Sequence, residues 1–415
     1  MMTFYLGIDF GTSGARAVVI DEDQTIQAQE ECPFTAQENW IQQWREALFF
    51  LLNEIPVTVK QDVGRIAING TSSTVLRCDR AGVPRSPPLL YRDRAPQSIL
   101  NQIQQIAPAD HVVQSASSSL AKLLYWQQQE GISQNESFLH QADWLGFLLH
   151  GHLGISDYHN ALKLGYDVKH LCYPQWLKDL DSFPILPKVL PPGTAVGSVT
   201  SEIAKQFSFP PDCQVCTGTT DSIAAFMASG ARQPGEAVTS LGSTLVLKLL
   251  SETPVQATQY GVYSHRFGNF WLTGGASNTG GAVLQQFFSE KQLQDLSAQI
   301  NPAQPTSLHY YPLTEPGERF PINDPNLSPK LTPRPEDHVT FLQGLLESMA
   351  RIEAQGYEKL QELGATPLSR VYTAGGGAKN ETWQTIREQY LKVSVQPSPN
   401  TDAAYGSALL AQGDS

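Results

Sequence analysis

The chain has 415 residues, more than one ordinary hydrophobic core organises, and at roughly 100–200 residues per domain it predicts two domains. With 41% hydrophobic and 16% charged residues and no apolar run near the ~20 residues that span a bilayer, the composition is globular and argues against a membrane protein. A formal net charge of -12 without clustered Lys and Arg argues against a nucleic-acid surface. The opening Met-Met-Thr-Phe-Tyr-Leu-Gly-Ile-Asp lacks a basic region and a small-residue cleavage site, so no leader is expected and cytoplasmic residence is the default. Oligomeric state is not legible.

Residues 4–21 read as an apolar strand, a Gly-Thr-Ser-Gly turn and a second strand, a β-hairpin with a polar tip. Helical spacing follows over 40–52, an apolar strand at 65–68 and a helix around 120–129. Pro and Gly thicken between Phe183 and Gly197, which predicts the approach to the second domain. Residues 214–231 form a strand, a Gly-Thr-Thr-Asp turn and a small-residue helix, and 238–249 repeat the hairpin design around Gly242-Ser243-Thr244. Asn301 to Pro335 reads as an ordered surface excursion, Phe341 to Leu363 as an amphipathic helix, and 371–391 as strand, glycine turn and helix. Two hairpins with hydroxyl-bearing tips and two strand-to-helix turns suggest one fold used twice.

The chemistry-bearing residues follow these turns. Glycines at 11 and 14 permit close backbone approach, so amides and the hydroxyls of Thr12 and Ser13 can surround an anionic phosphate, while Asp9 at the strand end is a candidate Mg²⁺ ligand. By itself the tip is also an ordinary hairpin turn. No Gly-x-x-x-x-Gly-Lys-Ser/Thr occurs, which excludes the P-loop class. Asp221 starts a helix and reads both as an N-cap and as a general base. Gly375-Gly376-Gly377 offers bare backbone to a flat ring such as adenine, with Asn380 able to supply an amide, or else packs a helix. Five cysteines, at 32, 78, 172, 213 and 216, make no even disulfide framework, and Cys213-x-x-Cys216 reads as a redox pair or half of a zinc site, against which stand the lack of a second pair and the strand expected there.

With these residues in place the pattern resembles the FGGY carbohydrate kinases over nearly the whole chain. GIDFGTSGARAVVID is similar to the family's first phosphate motif, VCTGTTDSIAAF to its catalytic-base segment, SLGSTLVL to its second phosphate hairpin and AGGGAKNETW to its adenosine motif. KLLYW at 122–126, DWLGFLLHG at 143–151 and PPGTAVGSVTSEIA at 191–204 are weaker echoes. The resemblance implies an α/β, two-lobed actin-like ATPase (ribonuclease H-like) fold with a nucleotide cleft between the lobes. It implies a sugar-binding and catalytic lobe at 1–229, with 402–415 as a candidate addition, and an ATP-binding lobe at 230–401.

It further implies that Asp9 organises Mg²⁺ and approaches the sugar, that Gly11, Thr12 and Ser13 meet the phosphoryl, and that Asp221 deprotonates the accepting hydroxyl. Gly242, Ser243, Gly376, Gly377 and Asn380 would hold ATP. A helix after Gly274, with Asn278 and Gly280, would line the nucleotide side. Departures from the family pattern are a short second lobe, Tyr91-Arg92-Asp93-Arg94 where Trp-x-Asp-x-Arg is usual, and Asp402 where Glu is common. NGTSSTVLRCDRAGVP at 69–84 stands where xylulose kinases commonly carry Gln-Met-His-Gly and looks more like the ribulose-type branch; Thr71, Ser72 and Ser73 within it, and Asp93, are candidate sugar contacts. The expected partners are therefore a small free sugar, D-ribulose ahead of D-xylulose, and ATP, with no nucleic acid and no membrane. The rival readings are an ATP-driven binding protein of the actin or Hsp70 kind and a sugar sensor without turnover.

Overall fold

The computed structural model describes residues 3–35, 39–180 and 185–413. The chain divides into two compact units, Met1–Ala228 with Asp402–Ser415, and Ser229–Thr401.

The first unit opens with β1 (Phe4–Phe10), β2 (Gly14–Ile20) and β3 (Ile26–Pro33), followed by α1 (Trp40–Glu54) and α2 (Val57–Lys60). Then come β4 (Val63–Gly70), β5 (Val75–Cys78), α3 (Gln97–Ile106), α4 (Ser119–Glu130), β6 (Ser137–His140) and α5 (Gln141–His150). Short elements follow: β7 (Ile155–Asp157), α6 (Tyr158–Ala161), α7 (Gln175–Lys178), β8 (Lys188–Leu190) and β9 (Ala195–Ser198). The run ends with α8 (Ser201–Phe207), β10 (Gln214–Cys216), β11 (Thr219–Thr220) and α9 (Asp221–Ala228). The main sheet has the order β3-β2-β1-β4-β10-β9, with β11 also on β4. Pairs β1–β2 and β2–β3 are antiparallel, whereas β4 runs parallel to β1, β10 and β11.

Strand β1 is buried from Leu6 to Phe10 because helices cover the sheet on both faces. On one face Leu6, Ile8 and Ile66 pack with Trp44 and Leu48 of α1, Trp144 and Leu145 of α5 and Phe207 of α8. A satellite core joins Ile99 and Ile103 of α3 to Leu120, Leu123 and Trp126 of α4 and Phe138 of β6.

The second unit contains β12 (Glu236–Leu241), β13 (Leu245–Ser251), β14 (Tyr263–Phe267), β15 (Phe270–Ser277), α10 (Gly281–Gln285) and α11 (Glu290–Ser297). It continues with α12 (His338–Glu362), β16 (Arg370–Ala374), α13 (Glu381–Leu391) and β17 (Ser394–Pro397). Its sheet order is β14-β15-β13-β12-β16-β17, with β12–β13–β15 antiparallel and β12–β16–β17 parallel. This is the pairing of β3-β2-β1-β4-β10 used a second time, so the internal repeat is a repeat of topology.

The last helix, α14 (Ala403–Gln412), returns to the first unit and covers the other face of its sheet through Ala404, Ala408 and Leu409 against Val18 and Ile20. The approach is so close that a Cβ on Gly7 would stand 2.0 Å from the Ala404 carbonyl oxygen, and one on Gly406 1.8 Å from that of Ala224.

Two expectations are corrected. The Pro/Gly-rich stretch is not the approach to the second unit: Phe183 and Pro184 lie outside the described residues, but 188–198 build β8 and the edge strand β9 of the first, and the division falls between Ala228 and Ser229. Residues 301–335 are not a surface excursion alone, since Leu308, Tyr310, Leu313 and Phe320 are buried. Phe320 is fully enclosed because Gly275 and Gly356 leave it room, a Cβ on either lying 2.6 or 2.9 Å from its ring.

Candidate active site

In the first unit the parallel strands β1, β4 and β11 end together, and neighbouring strands place Asp9 beside Asn69 and Asn69 beside Thr219. The carboxyl ends of parallel strands are where α/β sheets bind ligands, because the chain there leaves the ladder and exposes turns and helix N-termini. Asp221 lies two residues past Thr219 as the first residue of α9, and its Oδ1 accepts from the Ser222 amide at 2.6 Å. Asp402 caps α14, accepting from the Ala404 amide at 2.8 Å.

Asn69 ties the arrangement together. Its Nδ2 donates to Ser407 Oγ at 2.8 Å and to the Ala403 carbonyl at 3.2 Å, fixing the start of α14 against the end of β4.

Asp9 is 7% exposed and its Oδ1 is buried without a hydrogen-bond partner. Burial, then the charges of Asp221 and Asp402, push its carboxyl up to about 7, with Arg16 and Asn69 opposing. A buried, unpartnered carboxylate oxygen that feels the charges of Asp221 and Asp402 is a setting that a divalent cation would relieve electrostatically. Among the described residues no group of three His, Cys, Asp or Glu side chains forms a metal cage, so an ion here would keep much of its water, as Mg²⁺ does. Thr12 and Ser13 are exposed at the tip of the β1–β2 hairpin, whose turn closes by a Gly11 N–H to Gly14 carbonyl bond of 3.0 Å.

After β4 the chain makes a hydroxyl-rich loop. Thr71 is consumed within it: its amide and hydroxyl donate to Gln141 Oε1 at 2.9 and 3.0 Å, and its Oγ1 lies 2.6 Å from Thr74 Oγ1. Ser73 has φ +63 and a buried, unpartnered hydroxyl. Ser72 is half-buried, the one of the three serine and threonine side chains left facing outward. Asp93 closes its own turn, accepting from the Leu90 amide at 2.7 Å, and lines a shallow pocket with Lys122 and Arg94.

In the second unit the Gly242–Thr244 tip is strapped to the start of α10 by bonds from the Gly281 amide to the Gly242 carbonyl, 2.8 Å, and from the Ala282 amide to that of Ser243, 3.2 Å. Gly280, at φ +149, cannot carry a side chain, since a Cβ would lie 2.6 Å from the Ser243 oxygen. The helix here begins at Gly281; Gly274 sits inside β15, not before a helix. Asn278 spends its amide on the Gly317 carbonyl at 2.9 Å, and the buried Glu318 clamps the same turn through Ser277 Oγ and the Asn278 amide. Of the three glycines after β16, Gly376 has open space where a Cβ would go, whereas Gly377 packs on Leu241 and Trp383. Asn380 caps α13 by accepting from the Trp383 amide at 2.9 Å and donates to Ser297 Oγ, also at 2.9 Å, so both ends of its amide serve the fold.

Sequence reasoning missed Asn69, Gln141 and Glu318 and gave Lys122, the first residue of the KLLYW echo, no role; each acts on residues far away in the chain. The further signal at Lys122 is a cation in the apolar run Leu-Ala-Lys-Leu-Leu-Tyr-Trp. Cys213 and Cys216 are buried in or beside β10, Cys216 touching Arg65, and are structural.

Comparison with known proteins bears on the whole chain. The model of the N-terminal domain of the FGGY family of carbohydrate kinases matches residues 4–228, and that of the C-terminal domain matches 237–412. A xylulose kinase of Bacillus subtilis (strain 168) is 24% identical over 450 residues, covering 99% of this chain and 88% of that protein. A ribulokinase of Geobacillus thermodenitrificans is 24% identical over 303 residues, covering 60% and 53%. A crystal structure described as a xyloylose kinase from Brucella ovis superposes with a TM-score of 0.84 at 22% identity, covering 99% of this chain and 90% of that one. Likeness at that identity establishes the two-domain α/β fold, consistent with the actin-like ATPases.

Proposed function

Because the chain belongs to the FGGY family of carbohydrate kinases and is a phosphotransferase with an alcohol acceptor, we propose that it transfers the γ-phosphoryl of ATP to a hydroxyl of a free ketopentose, D-ribulose giving D-ribulose 5-phosphate. The observation that carries this reading is the buried Asp9 carboxyl near the end of β1, which feels the charges of Asp221 at the start of α9 and Asp402 at the N-cap of α14, where an acceptor hydroxyl can find a base. Asp221 takes the proton as the acceptor oxygen bonds to the γ-phosphorus; the bond from that phosphorus to the β-phosphate oxygen breaks, and ADP leaves. Asp9 would hold Mg²⁺, which supplies neutralisation of phosphate charge. Thr12, Ser13 and the Gly11 backbone are the phosphate contacts of the first unit, and Gly242, Ser243, Gly280 and Gly376 the nucleotide contacts of the second. Gly377 and Asn380 support that turn through their packing and cap.

Ser72 and Asp93 are the sugar contacts, and D-ribulose is favoured because short hydroxyl side chains occupy the loop after β4. The names of the relatives favour D-xylulose as the second reading. ADP release from Mg-ATP with each free ketopentose, polyol and hexose, beside Asp221→Ala, separates them. The expected outcome is one strongly preferred ketopentose and a loss of roughly 10²–10⁴-fold in the variant with ATP binding retained. An Asp221→Ala protein of wild-type activity would mean another base; turnover indifferent to every sugar would mean another function.

A further inference from the structure

Two loops carry the proposed sugar contacts, 71–74 with Ser72 and 89–93 with Asp93, and one buried side chain holds both. Lys122 of α4 is 1% exposed, and its Nζ donates to the Ser73 carbonyl at 2.7 Å and to the Leu90 carbonyl at 2.5 Å. Ser73 is in the left-handed region, φ +63, a conformation that a serine keeps only when its surroundings impose it. Leu90 belongs to the turn that Asp93 closes. The Tyr91 amide also donates to Thr74 Oγ1 at 2.9 Å, so the two loops are stitched side by side. Burial pushes the ammonium down to about 8, with the charge of Asp93 opposing. An apolar chain in its place would take this donor from both carbonyls, so the ammonium fixes where the two loops sit as well as contributing stability.

We propose that Lys122 is a positioning residue for sugar recognition: by holding the Ser73 and Leu90 carbonyls on one ammonium it sets the spacing between Ser72 and Asp93, and with it the hydroxyl pattern accepted. The inference rests on the reading of these loops as sugar-facing.

Lys60 supplies a matched comparison, being 3% exposed with its Nζ on the Leu52 and Asn53 carbonyls at 2.8 and 3.2 Å, between α1 and α2. The experiment measures KM for D-ribulose, D-xylulose and ATP, kcat and Tm for the wild type, Lys122→Met and Lys60→Met. In Lys122→Met the ketopentose KM should rise about tenfold or more, the preference between the two C3 epimers should narrow, and the ATP KM should stay within about twofold. Lys60→Met should lower Tm and leave sugar KM and epimer preference as in the wild type. Both variants losing Tm alike with sugar KM and preference unchanged would overturn the inference. Lys122→Arg, which keeps a buried cation of different reach, answers the same question where Lys122→Met does not accumulate: a changed epimer preference supports the inference and an unchanged one overturns it. A wild type inert toward ketopentoses removes the premise and the inference with it, whereas an active wild type with an indifferent Lys122→Met overturns the inference alone.

Discussion

Asp9 is held where a carboxylate is poorly stable as an anion, enclosed at the end of β1 and facing two like charges. Its folded value near 7 exceeds the unfolded 3.8, so between about pH 4 and 7 the folded chain keeps a proton that the unfolded chain has lost, and stability falls as pH rises through that window. Asp9→Asn removes the penalty. By urea unfolding the variant should be about 2–4 kcal/mol more stable than the wild type at pH 8, with the gain gone below about pH 4, while sugar phosphorylation collapses. Mg²⁺ should raise the wild-type melting temperature and leave that of Asp9→Asn unchanged; equal responses would place the metal elsewhere. On this reading Asp9 is a point where stability is given up for function, and a cation held there would restore it.

Among the elements, the turn after β16 separates fold from ligand within two residues. Gly376→Leu enters open space and should leave Tm within about 2 °C while raising the ATP KM, because only a bound nucleotide would meet the new side chain. Gly377→Leu drives into Leu241 and Trp383 at 2.7 and 2.8 Å and should destabilise by roughly 1–3 kcal/mol irrespective of ATP. An unchanged ATP KM in Gly376→Leu would remove that turn from the nucleotide site. These turns were legible in the sequence because local chemistry makes them: glycines and short hydroxyl residues between apolar strands, with Asn380 and Asp221 opening helices. The core contribution of 301–335 was not legible, since Tyr310 and Phe320 reach the core from irregular backbone that carries no period for a pattern to reveal. Nor was the support of the site, because Gln141, Lys122 and Asn69 act across 70, 49 and 338 residues of chain, and such contacts leave no local spacing. Glu353 and Arg387 are another case: both 1% exposed, they pair at 2.6 Å beneath Thr239 and Thr373 of the central strands of the second sheet.

At the scale of the molecule, the second unit is one unbroken stretch and the first is not. A fragment of residues 229–401 contains its whole sheet, α12 and α13, and should unfold cooperatively by itself on heating. A chain ending at Thr401 lacks α14, which uncovers one face of β1, β2 and β4 and leaves Asn69 without Ser407; its first unit should be protease-sensitive and bind no sugar. A truncated chain with wild-type resistance would show that α14 is dispensable.

The return of α14 also fixes an order of events during synthesis. The first 228 residues leave the ribosome before the helix that closes their sheet has been made, while every part of the second unit is already available by Thr401. The domain that begins first is therefore completed last, and its acidic site forms only when the final helix brings Asp402 home.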